Sequence, residues 1–394
     1  MNAIEDKESN ITSSSRLLSI DFMRGLVMVI MALDHIRDYI FLGSIDPLNM
    51  AESHPTLYFT RWITHLCAPV FVILAGVSVG IMSQTRDKKY LTRFLLTRGL
   101  WLILIELTVV SFGWNMKLGD SFFIGLQVIW ALGFSMLCLA AFIWLPRSII
   151  WLVTLSIIFG HNAFDGSLPT NNFNQSMPFW WGIHVTGFTS IFGVKLALLY
   201  PIIPWIGVMA LGYLIAPIYQ YEQTKRQSIM LKVGLACIVG FFILRIPNIY
   251  GNPTEWISQS STWLDIFAIM NVEKYPPSLQ YLLITLGIST IILALAENWK
   301  SQFVQWMVTF GRVPFFYYII HLYLIHLIAM IIAQIQGFGW QTALSGFWTY
   351  PKEFGLSLWL TYLVWVAVIV ILYPVCRWFM RIKSEKNDWW LKYL

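Results

Sequence analysis

The chain has 394 residues, of which 57% are hydrophobic and only 12% charged, with a mean hydropathy of +0.65 and a formal net charge of +6. That balance excludes a soluble globular domain, and runs of about 20 apolar residues, each able to cross ~30 Å of hydrocarbon as a helix, recur along most of its length. In such a protein a basic excess sets orientation and does not mark a nucleic-acid partner, which is not expected.

Residues 1–15 (MNAIEDKESNITSSS) are short and polar without an apolar signal core, and are expected to form a disordered cytoplasmic tail. Membrane spans are expected near 20–42, 61–83, 92–113, 121–145, 148–160, 198–219, 228–246, 279–297, 313–335 and 356–380. Of these 148–160 is short for a crossing, and the stretch around 184–200 reads as a candidate re-entrant or interfacial segment. Lys and Arg concentrate at alternate ends, in 84–93 (Arg86, Lys88, Lys89, Arg93), around Lys225 and Arg226, and near the C-terminus. The other side carries only Arg37, Arg61, Lys117, Lys195, Arg245, Lys274 and Lys352. The expected fold is therefore all-α: a polytopic bundle of about ten transmembrane helices with both termini cytoplasmic. One domain covers 16–383, and 384–394 is a cytoplasmic tail. Cys67, Cys138, Cys237 and Cys376 all fall in apolar runs, so neither a disulfide framework nor a thiolate metal site is expected.

The first span, IDFMRGLVMVIMALDHIRDYIFL, carries Asp21, Arg24, Asp34, His35, Arg37 and Asp38. Ionised groups in hydrocarbon cost roughly 2.5–3.5 kcal/mol each on insertion scales, so they persist mainly where they face a bundle interior or a wet cavity. Eleven steps separate Arg24 from His35, about 20° beyond three full turns, so both lie on one stripe, roughly 16 Å apart along the axis. The second span opens RWITHLCAPVFVILAGVSVG, placing Arg61 and His65 at the depth of His35. Pro69 frees a carbonyl near His65, and Gly76 and Gly80 form a GxxxG that permits close helix contact. In the ninth span, GRVPFFYYIIHLYLIH, Arg312 marks the inner end and His321 lies near mid-depth with Tyr317 one turn away. His321 and His326 are about 140° apart around the helix, so they do not form a metal pair.

Plainer readings exist for several of these residues. Asp21 and Arg24 fit an interfacial ion pair, Arg37 and Asp38 fit snorkelling side chains, and His321 and His326 fit interhelical hydrogen bonds. The Trp and Tyr of the long outer segments 161–197 and 247–278 fit an aromatic belt more simply than sugar stacking. His35 is the residue for which chemistry is the better reading.

RLLSIDFMRGLVMVIMALDHIRDYIF, TRWITHLCAPVFVILAGVSVG and GRVPFFYYIIHLYLIH together resemble bacterial members of the heparan-alpha-glucosaminide N-acetyltransferase catalytic-domain-like family, within the wider transmembrane acyltransferase group. The resemblance implies transfer of an acetyl or acyl group from cytoplasmic acyl-CoA to a hydroxyl or amine of a sugar or envelope glycan across the inner (plasma) membrane. Acyl-CoA, the glycan and the bilayer are the implied partners, with no metal, and a homodimer is left open. Arg24, Asp21, Arg312, His321 and Tyr317 would serve the donor side. His35 would act as general base or acyl carrier with Asp34 setting its tautomer, while Arg61 and His65 stabilise the oxyanion or orient the acceptor. In the lysosomal members Asn stands in place of His35 and Asp in place of His65, and their histidine falls near His54, so His35, His65 and His54 all remain candidates. A proton-coupled secondary transporter could use the same intramembrane groups, although no inverted repeat is visible, and a non-catalytic partner in an envelope assembly is a third reading.

Overall fold

The computed structural model describes residues 2–42, 47–49, 53–116, 122–167, 172–344, 346–386 and 388–394, with the side chains of 2–17, 172–175 and 392 left aside. Lys117, residue 121 of the fourth expected span and 168–171 of the first long outer segment lie outside these residues.

In chain order the helices are α1 (Asn2–Ile40), α2 (Pro55–Met82), α3 (Lys88–Asn115), α4 (Val128–Phe142), α5 (Arg147–Phe164), α6 (Ile202–Gln220), α7 (Gln223–Arg245), α8 (Thr262–Met270), α9 (Leu279–Ala296), α10 (Gln302–Arg312), α11 (Pro314–Ile335) and α12 (Leu358–Glu385). Among the described residues, eight helices are long and apolar enough to cross a membrane: α2, α3, α5, α6, α7, α9, α11 and α12. The first and fourth expected spans fall on α1, whose charges interrupt its apolar run, and on α4, which has 15 residues. The segment expected to be too short is completed by a last tight turn to 18 residues in α5. Helical backbone reaches back to Asn2, into the stretch read from sequence as a disordered tail; once a long helix is nucleated, each added residue costs little.

The fold is not purely α. A four-stranded sheet, in the order β1 (Ile124–Leu126), β4 (Val194–Leu198), β3 (Gly187–Ile191), β2 (Asn172–Ser176), caps one end of the bundle. The candidate re-entrant segment at 184–200 is therefore mostly the β3–β4 hairpin. Its two-residue turn, Phe192-Gly193, has both φ values positive (51° and 79°), the mirror-type turn that matches strand twist.

Helix α1 is the central element, packed against α2, α9, α10, α11 and α12. It crosses α10 with Gly25 against the Met307 carbonyl and Gly311 against that of Asp21, an approach that any side chain at either glycine would block. The GxxxG of α2 behaves as expected, laying Gly76 and Gly80 on α6. The carbonyl freed by Pro69 is that of His65, and it accepts from the Tyr281 hydroxyl at 2.7 Å.

The long segment between α7 and α9 is held by Arg245. Its guanidinium donates to the carbonyls of Thr254, Ala268, Ile269 and Asn271, each at 2.8 to 2.9 Å, closing the C-terminal end of α8. Tyr58 stacks on Phe267 with ring centroids 3.9 Å apart, which docks α8 on α2.

Candidate functional site

Two cavities lie in line along α1. The first, about 490 Å³, opens at the end carrying the 83–87 turn and is lined by Asp21, Arg24, Arg98, Arg312 and Lys383 beside apolar side chains of α2, α3 and α4. Arg24 is fixed by α2, donating to the Leu74 carbonyl at 3.3 Å and to the Ser78 hydroxyl, with Asp21 3.5 Å away. Asp21 also pairs with Arg312 at 3.5 Å. Four cations around one carboxylate leave this chamber net positive, which suits a phosphate-bearing ligand.

The second cavity, about 500 Å³, lies beneath the sheet and is lined by Asp34, His35, Asp38, Arg61, Lys274 and Tyr275 together with the rings of Trp114, Phe123, Phe188, Tyr200, Phe347 and Trp348. The two chambers share the side chains of Met31, Phe71, Val128 and Tyr318, which form the partition between them. Polar groups on one helix stripe thus reach two chambers, as the Arg24 to His35 spacing requires.

His35 Nδ1 lies 2.9 Å from His321 Nε2, and His321 Nδ1 lies 2.9 Å from the Tyr317 carbonyl. A carbonyl only accepts, so in neutral rings His321 carries its proton on Nδ1 and its Nε2 accepts. His35 then holds its own proton on Nδ1 and keeps a lone pair on Nε2, which has no hydrogen-bond partner among the described residues. The ring is set by Trp114, edge-on at 4.9 Å. The tautomer and orientation of His35 are thus fixed from behind, which is the geometry a general base requires.

Asp34 does not perform that task. Its carboxylate lies between two guanidiniums, 2.5 Å from Arg61 and 2.7 Å from Arg37, and Arg37 also pairs with Asp38 at 2.6 Å. Arg37 is 5% exposed, so it is a buried bracket and not a snorkelling side chain. The strong guanidinium partners take up the carboxylate that the sequence placed beside His35, and the tautomer is set by His321 instead.

Other expected residues are dispersed. His321 and Tyr317, expected on the donor side, line neither chamber; Tyr317 stacks on His321 at 5.1 Å. His65 is absent from the His35 cavity and faces a separate chamber behind Arg61. His54 is exposed and accepts from the Leu57 N–H at 3.3 Å as the N-cap of α2, a structural role. His326 lies between the carbonyls of Gly113 and Ala343 and, when neutral, donates to one of them, a contact between elements rather than a site.

The residues that sequence reasoning missed include Lys274 and Tyr275, which line the His35 cavity together with Arg61. Burial pushes the Tyr275 phenol up, but the neighbouring Lys274 ammonium and Arg61 guanidinium outweigh this and leave it below the ordinary tyrosine value. A solitary lysine in a polar, Pro-rich loop was the one available signal. Glu106 was also missed: it sits in a π-turn of α3 and accepts from the backbone N–H of Gln127 (3.3 Å) and Trp130 (3.1 Å), capping α4 beside the partition.

The family model described as heparan-alpha-glucosaminide N-acetyltransferase, catalytic, matches residues 16–249, which include Arg24, His35 and Arg61. No curated protein matches the chain.

Proposed function

We propose that this chain, which belongs to the heparan-alpha-glucosaminide N-acetyltransferase catalytic family, passes an acyl group from acyl-CoA to a sugar hydroxyl or amine through the partition between its two cavities. The observation that carries this reading is the pair of chambers back to back along α1, one ringed with cations and the other presenting the free Nε2 of His35. Family membership and the apolar helices support a multi-pass membrane acetyltransferase. The acyl-CoA donor, the sugar acceptor, the ten-span count and the cytoplasmic placement of both termini belong to the same proposal. By the distribution of Lys and Arg the cationic chamber faces the cytoplasm and the sheet faces outward, with the plasma membrane as the site of action.

Arg24, Arg98, Arg312 and Lys383 hold the phosphates of the donor, and the thioester reaches His35 by displacing the side chains of Met31, Phe71, Val128 and Tyr318. The acceptor nitrogen or oxygen bonds to the thioester carbonyl carbon while His35 Nε2 takes its proton. Arg61 and Lys274 stabilise the oxyanion of the tetrahedral intermediate. The carbon–sulfur bond then breaks, and the imidazolium returns the proton to the departing thiolate. His321 Nε2 accepts from His35 Nδ1–H throughout, so the positive charge on His35 is supported by a hydrogen bond already in place. The aromatic walls of the outer chamber suit a sugar face.

The test is transfer of labelled acetyl from acetyl-CoA to glucosamine by the purified protein in detergent. A transferase binds acetyl-CoA and yields labelled sugar; a proton-coupled permease ignores the thioester, and that result sinks the reading.

A further inference from the structure

Behind the wall formed by Arg61, Lys274 and Tyr275 lies a third chamber of about 230 Å³, into which His65 faces and which Trp256, Asn271 and Glu255 also line. The three wall residues line both this chamber and the His35 cavity, so occupants of the two would lie side by side. His65 is 1% exposed, yet neither of its ring nitrogens has a hydrogen-bond partner. Buried imidazoles are normally matched, because an unmade hydrogen bond to a group removed from water is costly. Glu255, which is exposed, and Asn271, which is partly exposed, line the chamber with side chains open to solvent.

Trp256 is held rigidly. Its indole Nε1 donates to the Ile246 carbonyl at 2.9 Å and its backbone N–H to Asn248 Oδ1 at 3.2 Å. The polar groups lining the chamber include the unpartnered imidazole of His65, with one donor and one acceptor when neutral, the Asn271 carboxamide with both, and the Glu255 carboxylate, which only accepts. Beside one fixed aromatic face, that set matches a ring bearing several hydroxyls better than an acyl chain, which has nothing to offer it. The volume is below the roughly 300 Å³ at which drug-sized sites begin, which limits the occupant to about one ring.

We propose that this chamber is a second carbohydrate subsite, which binds the sugar ring adjoining the one that receives the acyl group, with His65 hydrogen-bonding its hydroxyls and Trp256 packing on its face. The proposal rests on the acyl-transfer reading for the identity of the neighbouring ring. It makes the enzyme selective for acceptors of at least two sugar units. Arg61, shared by both chambers, becomes the link between them.

The experiment measures calorimetric binding of glucosamine and of its β-1,4-linked disaccharide to the purified full chain, alongside acetyl transfer to each. Wild type is expected to bind the disaccharide at least tenfold more tightly than the single sugar. His65→Leu should remove that margin while leaving glucosamine affinity in place, and His65→Gln, which keeps a donor and an acceptor, should restore part of it. Trp256→Ala, remote from the helix core, provides a second variant in case His65→Leu fails to fold, and should reduce the margin as well. Equal affinity of wild type for both sugars, or a margin untouched by these variants, overturns the subsite. A disaccharide margin without acetyl transfer to either sugar leaves the subsite standing and rejects the transfer reading instead.

Discussion

His35 and His321 meet across α1 and α11, Nδ1 of the first 2.9 Å from Nε2 of the second. In the proposed mechanism this second histidine, itself anchored to the Tyr317 carbonyl, takes the orienting part that a carboxylate plays in hydrolytic triads. His35→Ala should lower acetyl transfer by roughly 10²–10⁴, the range of a positioned acid–base group, while acyl-CoA binding persists. His321→Gln, whose side-chain oxygen can still accept from His35, should retain more activity than His321→Leu. Single-turnover transfer rates in the three variants check this, and equal losses in both His321 variants would remove it from the orienting role.

Arg24 meets α2 and the Asp21 carboxylate while facing the cationic chamber. A lysine cannot reproduce the planar fork, so Arg24→Lys should weaken acyl-CoA binding by about tenfold, near 1.4 kcal/mol, with the fold intact. Equilibrium binding of a non-hydrolysable acyl-CoA analogue reads the change directly.

Val128 begins α4 at the boundary of the two chambers and lines both. Val128→Trp should fill the partition, so that donor binding survives while transfer falls at least tenfold. Unimpaired transfer would mean that the thioester reaches His35 by another route.

At the opposite end of the bundle from the sheet, Arg226 and Glu297 form a bidentate pair at 2.6 and 2.8 Å, with each side chain 2% exposed. Glu297→Ala should cost about 3–5 kcal/mol, because it leaves a buried guanidinium unpaired, and the double variant Arg226→Leu with Glu297→Leu should recover most of the loss. Thermal unfolding in detergent distinguishes the two.

Orientation is open to direct test. A cysteine introduced at Ser83 or Thr85, in the turn after α2, should label only from the cytoplasmic side in intact cells. Labelling from outside would invert the donor and acceptor chambers.

Much of this molecule was determined by the sequence alone. Apolar runs of fixed length placed the helices, since backbone polar groups in hydrocarbon must be satisfied within the helix itself. Helical periodicity put Arg24 and His35 on one stripe, and the missing N–H of Pro69 identified the carbonyl that Tyr281 later claims. Periodicity gives the face and depth of a side chain on its own helix, but not which residue of another helix it will meet. His321 is 286 positions from His35, and only packing brought the two rings together. The same limit explains why Asp34, adjacent to His35 in sequence, turns away to Arg61 and Arg37, and why His65 lies behind a wall that Lys274 and Tyr275 of the 247–278 segment complete beside Arg61. That segment and the sheet carry weak periodic signals, because the segment is ordered by hydrogen bonds to the Arg245 guanidinium and the sheet by pairing between its strands rather than by the bilayer. Which polar groups share a chamber was decided by helix azimuth and loop placement, and these are set by contacts across the whole chain.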